Sequence, residues 1–227
     1  MTKEDTTSRF PRIVFGTFAL PDDAEAASLL GRFVAAGGCA IDLANVYLDG
    51  AAQRIVGRWL EARGGPDGLV LYAKGCHPPV CSPGDVPAEI ERIRRDVGVD
   101  RLDVFLLHRD DLAFPVEAFA DALLAEVSAG RLDAFGVSNW TIERTRELAA
   151  YVDGVAPGRL VAFSNHFSLA EMVEAPWPGC LAVTHDEIDE LGRLGLRMLA
   201  WSSLATGYFA GRNAPSWESE ENEGRRD

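Results

Sequence analysis

The sequence contains few cysteines, namely Cys39, Cys76, Cys81 and Cys180. None of them forms a Cys-x-x-Cys pair, so neither a redox dithiol nor a paired zinc motif is indicated. The run from Cys76 through His77 to Cys81 offers three candidate ligands but lacks a fourth at a suitable spacing. We therefore expect four structural thiols in a reducing compartment and no metal site.

Long apolar runs, a signal peptide and an excess of positive charge are also missing. No apolar stretch approaches the roughly 20 residues of a membrane-spanning helix. The N-terminal stretch MTKEDTTSRF has no apolar core typical of a signal peptide. The 22 lysines and arginines are outnumbered by 35 aspartates and glutamates, and the net charge of −13 works against binding to nucleic acid phosphates. These absences predict a cytoplasmic protein that binds neither membranes nor nucleic acids.

The sequence does contain a regular alternation of two patterns over its 227 residues. Near-continuous apolar runs, typical of parallel strands covered on both faces, are followed by amphipathic segments of helical length. Capping pairs support two helix starts, Thr184 with Glu187 and Asp22 with Glu25. The alternation predicts one parallel α/β domain over residues 1–227. The predicted strands are 12–18, 39–43, 69–74, 102–108, 132–138, 160–164 and 197–203, and the predicted helices are 24–36, 51–62, 86–97, 116–129, 141–151 and 185–195.

One further absence bears on the choice between two parallel α/β architectures. A doubly wound nucleotide-binding sheet normally carries a Gly-x-Gly-x-x-Gly turn after its first strand. Here residues 17–21, with the sequence TFALP, follow that strand instead. The favoured fold class is therefore α/β with a (β/α)8 TIM-type barrel, of which this chain supplies about seven strands.

Polar residues stand at the end of each predicted strand after the first. In such a barrel the C-terminal strand ends face the active site. Taken singly, Lys74 could be a solvated loop end and His108 a structural histidine. Asp42 alone could cap a helix, and Tyr47 could serve packing. Their occurrence at one end of one layer predicts a shared site instead. The residues at this end are Asp42, Tyr47, Lys74, His108, Ser138, Asn139, Ser164, Asn165, Ser202 and Ser203.

Four of these side chains form a chemically sensible set. A tyrosine has an unperturbed pKa of about 10, too high for free proton exchange at neutral pH. A lysine ammonium beside it lowers that pKa, and an aspartate paired with the lysine holds the cation in place. A histidine can then orient a substrate oxygen by a hydrogen bond. Such a set suits a phenol acting as general acid toward an oxygen that becomes negative, as carbonyl reduction requires.

Five stretches, IDLANVY, VLYAKG, VFLLHRDD, AFGVSNW and LAWSSLATGYFAGR, resemble the motifs of the aldo-keto reductases in order and spacing, from about residue 12 to residue 212. The resemblance implies a (β/α)8 barrel that transfers a hydride from NADP(H), with NAD(H) as the alternative, to a small aldehyde or ketone. The family's catalytic tetrad falls on Asp42, Tyr47, Lys74 and His108. Tyr47 would be the general acid and Lys74 the modulator of its pKa. Asp42 would be the partner of Lys74, and His108 would orient the carbonyl.

The resemblance also implies where the cofactor binds. Ser138 and Asn139 fall on the residues that hold the nicotinamide carboxamide. Trp201 falls on the ring that stacks on the nicotinamide, with an ordinary core tryptophan as the alternative. The turn from Ser202 towards Gly207 would approach the pyrophosphate. The full implied set is Thr17, Phe18, Asp42, Ser138, Asn139, Ser164, Trp201, Ser202, Leu204 and Gly207.

The sequence departs from the family's pattern in two places. Ser164 stands where the family usually has a glutamine for the carboxamide, with Asn165 as a candidate substitute. Residues 10–212 match, whereas 213–227 form an acidic tail where a helix and the eighth strand would follow. We expect this tail to be a frayed helix start or disordered, and the edge strands to be left unpaired. The chain would then be a truncated reading frame, half of a complementing pair or a decayed copy. The rival hypothesis is a non-catalytic cofactor-binding or regulatory barrel, or a truncated inactive fragment.

A few weaker features could border a substrate pocket. They are His77, His166, the segment 109–114 and the long loop 165–184. None of them identifies a substrate, and the sequence predicts no oligomeric state.

Overall fold

The computed structural model describes residues 11–212 and 215–225, and these residues form a seven-stranded parallel sheet. The strands follow one another in sequential order, each paired in parallel with the next. Sequential parallel strands joined by helices are the architecture of a (β/α)8 barrel, so the predicted fold class and its seven strands are confirmed. The strands are β1 (Phe15–Gly16), β2 (Ala40–Ala44), β3 (Val70–Gly75), β4 (Leu102–Leu107), β5 (Leu132–Ser138), β6 (Leu160–Ser164) and β7 (Arg197–Met198).

The predicted helices are all present between these strands. Asp22 caps the first by accepting hydrogen bonds from the N–H groups of Ala24 and Glu25. Thr184 and Glu187 form the predicted capping box at the sixth. Within the described residues, no helix has the length and apolar character needed to span a bilayer. The helices are α1 (Asp23–Ala35), α2 (Ala51–Arg63), α3 (Val86–Val97), α4 (Val116–Ser128), α5 (Ile142–Val155), α6 (His185–Arg193) and α7 (Glu220–Glu223).

Side chains along each strand alternate between two apolar layers. The larger layer packs between the sheet and the helices. The smaller layer lies on the other face of the sheet. Asp42, Lys74 and His108 each stand two residues beyond a member of the smaller layer, so the alternation brings all three to the same face. The members of the smaller layer are Ala40, Tyr72, Val104, Leu106 and Ala162.

The first and last strands are much shorter than the sequence predicts. β1 covers Phe15–Gly16 rather than 12–18, and β7 covers Arg197–Met198 rather than 197–203. Among the described residues each has one neighbouring strand, whereas every other strand has two. Beyond β7 the pairing continues as a single bridge between His166 and Trp201. An apolar run in the sequence indicates which residues are buried, but it does not indicate how many of them form hydrogen bonds to a neighbouring strand.

The tail is packed against the barrel over residues 215–225, which differs from the frayed or disordered segment expected. A 3₁₀ turn at Pro215–Trp217 and the short helix α7 bring Trp217 and Asn222 into buried positions. The Asn222 amide donates to the carbonyl of Glu171 (2.8 Å) and accepts from its N–H (2.8 Å). This paired contact fixes the tail on the long loop after β6, because it satisfies a buried side-chain amide.

Candidate active site

Asp42, Lys74 and Tyr47 form a closed triangle of polar contacts at the end of β2 and β3. The Tyr47 hydroxyl donates a hydrogen bond to Asp42 Oδ2 (3.1 Å). The Lys74 ammonium donates to the Tyr47 Oη (3.2 Å) and forms an ion pair with Asp42 Oδ1. The Thr17 hydroxyl donates to the backbone carbonyl of Asp42 (2.7 Å), which ties the end of β1 to the same point. The fold thus brings together Asp42, Tyr47 and Lys74, which the sequence predicted to share one site.

Lys74 is one of only two lysines in the chain, the other being Lys3. It is almost fully buried, at 3% exposure. Apart from Lys3, the chain uses arginine for its other permanent positive charges. A lysine ammonium is a compact point charge, whereas a guanidinium is a wide planar fork, so the two are not interchangeable in a closed site. The choice of lysine at this position fits a role that needs one small cation against the Tyr47 hydroxyl.

A strained turn places Tyr47 over the end of the sheet. Tyr47 begins a 3₁₀ turn in which Leu48 and Asp49 adopt left-handed backbone angles, with φ of 50° and 53°. Such angles are unfavourable for residues other than glycine and persist only where the surroundings impose them. The turn leaves the Lys74 ammonium 5.5 Å from the centre of the Tyr47 ring as well as against its hydroxyl.

The net effect of this environment on the phenol is opposite to the one that the sequence predicts. Burial and then the Asp42 carboxylate raise the pKa of Tyr47, Lys74 opposes both, and the result is a pKa of about 12. Lys74 thus lowers the pKa as expected, but burial and Asp42 outweigh it. Burial acts against the Lys74 ammonium too, yet Asp42 and Tyr47 together raise the pKa of Lys74 above its usual range. At neutral pH the site holds a protonated phenol beside a fixed cation.

His108 follows β4 and faces Tyr47 edge-on, with the ring centres 6.1 Å apart. Burial, followed by the charges of Lys74 and Arg109, holds the pKa of His108 well below its ordinary value of 6.5. The ring is therefore neutral at physiological pH. Its Nδ1 atom is buried and has no hydrogen-bond partner among the described residues. Arg109 Nη1 donates to the backbone carbonyl of His108 (2.9 Å), which helps to fix the position of the ring.

Aromatic rings surround the phenol on the open side of the site. Phe18 lies edge-on to Tyr47 at 5.5 Å and also contacts Trp177 at 5.4 Å. His77 contacts His108 at 5.2 Å. Phe18 and Trp177 are 53% and 47% exposed, so their rings are available at the surface. The structure thus brings Phe18, His77 and one residue of the loop 165–184 to the site, as the sequence analysis predicted.

The residues predicted to hold a carboxamide are bonded mainly to one another. Ser138 Oγ donates to the carbonyl of Ser164 (2.8 Å) and accepts from Asn139 Nδ2 (3.0 Å). Asn139 Oδ1 accepts from the N–H of Leu181 (3.1 Å). Asn165 Oδ1 in turn accepts from the N–H of Asn139 (2.7 Å). All four polar residues lie beside the site, but in this arrangement they connect β5, β6 and the following loop. Binding of a carboxamide by them stays a prediction.

His166 is enclosed by two tryptophans. Its ring lies 5.0 Å from that of Trp201 and 5.4 Å from that of Trp217. The Trp217 indole N–H donates to His166 Nε2 (3.2 Å), and burial lowers the pKa of His166 to about 4. The Trp201 Nε1 atom is buried without a hydrogen-bond partner in the described part of the chain. Trp217 was missed by the sequence analysis because it belongs to the tail, whose packing has no local signal.

The turn after β7 has an unusual backbone. Ala205, Thr206 and Gly207 all have positive φ, as does Ser202. Gly207 has a φ of 91°, which favours glycine, and a Cβ atom here would lie 2.6 Å from the Cδ atom of Arg212. The N–H groups of Ala205 and Gly207 close this turn on the carbonyls of Ser202 (2.8 Å) and Leu204 (3.0 Å). Leu204, at the tip, is 79% exposed.

The cysteines are unpaired thiols with structural contacts. Cys81 Sγ donates to the carbonyl of Cys76 (3.2 Å), and burial raises the pKa of Cys81 to about 11. Arg109 Nη2 donates to Cys180 Sγ (3.3 Å). Within the described residues no three His, Cys, Asp or Glu side chains are grouped so that they could hold a metal ion.

Comparison with known proteins identifies the family of the chain. The family model described as "Aldo/keto reductase family" matches residues 12–227. The chain belongs to the aldo/keto reductase family. The match includes the tail, which the sequence motifs did not cover.

Individual relatives of this aldo/keto reductase family member are similar over much of its length. A 6-dehydroglucose reductase from Novosphingobium aromaticivorans is 31% identical, over 87% of this chain and 66% of the relative. One from Agrobacterium fabrum is 30% identical, over 57% of this chain and 50% of the relative. The crystal structure of an aldo-keto reductase from Klebsiella pneumoniae in complex with NADPH aligns with a TM-score of 0.73 at 26% identity, covering 89% of this chain and 66% of that one. The chain thus spans between half and two-thirds of the length of these relatives.

Proposed function

We propose that this chain is an enzyme that reduces an aldehyde or ketone with NADP(H) as the hydride donor, NAD(H) being the alternative. The observation that carries the proposal is the triangle of Asp42, Lys74 and Tyr47, with the neutral His108 beside it. The reductase names of the relatives and the NADPH in the Klebsiella pneumoniae structure support the same reaction class. A small carbonyl compound is the substrate class. The free thiols support a reducing, cytoplasmic location, and the net charge of −13 argues against a nucleic acid partner.

The residues around the mouth fit a nicotinamide dinucleotide. Trp201 offers a ring and a buried N–H that has no partner in the described residues. The exposed cation of Arg212, which folds back over Gly207, offers a donor for a pyrophosphate. NADPH, when bound, would supply the hydride that reaches the carbonyl carbon. This chain's residues would hold it by Trp201 on the nicotinamide side and by Arg212 on the phosphate side.

The chain's own residues would manage the proton. The neutral His108 would hydrogen-bond the carbonyl oxygen and orient it towards Tyr47. Tyr47 would pass its hydroxyl proton to that oxygen as the oxygen gains negative charge. With a pKa of about 12, Tyr47 keeps its proton until such charge develops. The Lys74 ammonium, 3.2 Å from the hydroxyl oxygen, would then stabilise the phenolate that remains, and Asp42 would hold Lys74 there.

The test is the Tyr47→Phe substitution, measured as consumption of NADPH with a panel of aliphatic and aromatic carbonyl compounds. We expect kcat to fall by about 100-fold or more, in line with the loss of a general acid. Tyr151→Phe is the matched control, because Tyr151 also hydrogen-bonds an aspartate, Asp121 (2.8 Å), but at the surface. Quenching of tryptophan fluorescence by NADPH should be the same in both variants. Wild-type turnover in Tyr47→Phe would overturn the mechanism, and quenching without turnover in the wild type would favour the non-catalytic barrel.

A further inference from the structure

A buried carboxylate on helix α3 lies directly behind the triangle of Asp42, Lys74 and Tyr47. Glu89 is 8% exposed. Its Oε2 atom accepts two hydrogen bonds, one from Asn45 Nδ2 (2.8 Å) and one from the backbone N–H of Cys76 (3.1 Å). The Asn45 amide also donates to the backbone carbonyl of Glu89 (3.2 Å). Because all these groups are buried, each bond matters: a buried polar group left without a partner is costly.

The two donors belong to the two strand ends that carry the triangle. Asn45 lies between Asp42 and Tyr47, in the segment that follows β2. Cys76 follows β3 and stands two residues after Lys74. One carboxylate oxygen therefore joins the segment that bears the phenol to the segment that bears the cation. The same two segments are also joined by a backbone hydrogen bond that does not involve Glu89, from the N–H of Asn45 to the carbonyl of Lys74 (2.9 Å).

The backbone around β3 is shaped to admit this carboxylate. Cys76 has a left-handed backbone, with φ of 60°, which turns its N–H towards Glu89. A side chain on Gly75 would lie 3.0 Å from the Glu89 Cβ atom and 2.9 Å from the Phe105 ring. A glycine at this position therefore lets α3 approach the strand closely enough for Glu89 to reach both segments.

The side-chain carbonyl group of Asn45 is held by a hydrogen bond as well. Its Oδ1 atom accepts from Gln53 Nε2 (3.0 Å), and the same amide donates to Asp96 Oδ2 (3.0 Å). Gln53 is on α2 and Asp96 on α3, so the bond to Asp96 fixes the Gln53 amide that holds Asn45. Chains of buried hydrogen bonds of this kind define one geometry rather than several.

We propose that Glu89 is a positioning residue, which fixes the separation of the Tyr47 hydroxyl and the Lys74 ammonium by holding Asn45 and the Cys76 amide on one oxygen. The inference rests on the proposed function only for its effect on turnover. Glu89 lies on a helix and contacts neither side chain of the proton-donating pair, so its effect passes through the backbone of the two segments. A displacement of about 1 Å in reacting groups can lower the rate by about 100-fold.

The first test compares Glu89→Ala, Glu89→Gln and a matched control, Glu126→Ala. Glu126 is an equally buried carboxylate, at 2% exposure, but it pairs with Arg131 (2.6 Å) just before β5, at the end of the barrel away from the strand ends that carry the site. We expect Glu89→Ala to lower kcat by roughly 10- to 100-fold with little change in NADPH affinity. Glu89→Gln should retain most of the turnover, because its amide oxygen can accept the same two hydrogen bonds. A kcat for Glu89→Ala no lower than that for Glu126→Ala would overturn the proposal.

The second test does not depend on turnover. The N–H of Asn45 bonds the Lys74 carbonyl and does not contact Glu89. If Glu89 holds the two segments together, hydrogen–deuterium exchange at the Asn45 amide should accelerate by at least about 10-fold in Glu89→Ala and not in Glu126→Ala. Unchanged exchange would overturn the inference. If the wild-type chain reduces no carbonyl compound, the proposed function fails, whereas this exchange comparison still decides the role of Glu89.

A second variant covers the case in which Glu89→Ala does not fold. Asn45→Ala removes the same link from the opposite side and leaves the Cys76 bond to Glu89 in place. We expect the same direction of change, a lower kcat at similar NADPH affinity. Wild-type kcat in folded Asn45→Ala would overturn the proposal.

Discussion

The Lys74 ammonium lies 3.2 Å from the Tyr47 hydroxyl oxygen, while the same hydroxyl donates to Asp42. The phenol is therefore held between an anion, which opposes its ionisation, and a cation, which favours it. Burial and the anion prevail, since the pKa of Tyr47 is raised to about 12. The arrangement suits an acid that stays protonated at rest and is relieved of its proton only when a negative oxygen develops beside it.

The first prediction concerns the identity of the cation. We expect Lys74→Arg to lower kcat/KM by about 100-fold or more, although it preserves the charge. Lys74 is only 3% exposed, and a planar guanidinium cannot occupy the space of its ammonium between Asp42 and Tyr47. The measurement is steady-state NADPH oxidation. Arg131→Lys is the control, because Arg131 pairs with the buried Glu126 far from the site, and it should stay close to wild type. An active Lys74→Arg enzyme would show that charge alone is sufficient.

The second prediction concerns the pH dependence of turnover. Burial and nearby cations hold the pKa of His108 well below 6.5, so its ring stays neutral as the pH falls from about 8 to about 6. Tyr47 stays protonated over the same range. We therefore expect kcat/KM for carbonyl reduction to be flat between these values, measured with initial rates at constant ionic strength. An inflection near pH 6.5 that persists in His77→Gln would contradict a neutral His108.

The third prediction concerns stability in alkali. The pKa of Tyr47 is raised to about 12 in the folded chain and is about 10 when unfolded. The folded state therefore favours the protonated phenol, and the stability that results is present below pH 10 and lost as the pH rises towards 12. Between pH 9 and pH 11 the wild type should lose about 1.4 kcal/mol more of its free energy of unfolding than Tyr47→Phe does. Urea titrations at the two pH values measure this difference. Parallel losses in the two proteins would show that the pKa of the phenol is not raised.

The parts of this molecule that the sequence could predict are those with a local pattern. Apolar runs of strand length were enough to predict that Asp42, Lys74 and His108 share one end of the sheet, because each run is followed by a polar residue. In the structure they lie within or directly after β2, β3 and β4. Tyr47 could be placed from its spacing, but the sign of its pKa shift could not. The sign depends on whether burial and Asp42 raise the pKa of Tyr47 by more than Lys74 lowers it, and these effects depend on the positions of the groups in the folded chain.

Contacts over long sequence separations left no such pattern. Glu89 looks like one more charged residue of an amphipathic helix, and only the close approach of α3 to Gly75 shows that it is buried and shared. Trp217 reaches His166 across 51 residues, from a segment whose acidic composition suggested an unfolded tail. Both features follow from tertiary packing, which overrides the local composition of the chain.

The last prediction concerns stability in acid and the role of Trp217. Burial lowers the pKa of His166 to about 4, against about 6.5 in an unfolded chain. The folded state therefore favours the neutral ring, which accepts the Trp217 N–H at Nε2. The stability from this preference is present above pH 6.5 and is lost as the pH falls towards 4. Between pH 7 and pH 4.5 we expect the wild type to lose about 2 kcal/mol more of its free energy of unfolding than His166→Gln.

The Trp217→Phe substitution tests whether burial or the hydrogen bond from Trp217 lowers the pKa of His166. Phenylalanine keeps a ring against His166 but has no N–H, so it should cost about 1 kcal/mol at pH 7. The acid-dependent loss should remain, because burial rather than the hydrogen bond lowers the pKa of His166. Chemical denaturation followed by circular dichroism at the two pH values measures both effects. If the acid-dependent loss disappeared in Trp217→Phe, the indole N–H rather than burial would be what keeps His166 neutral. If His166→Gln matched the wild type at every pH, His166 would not be buried against the tail at all.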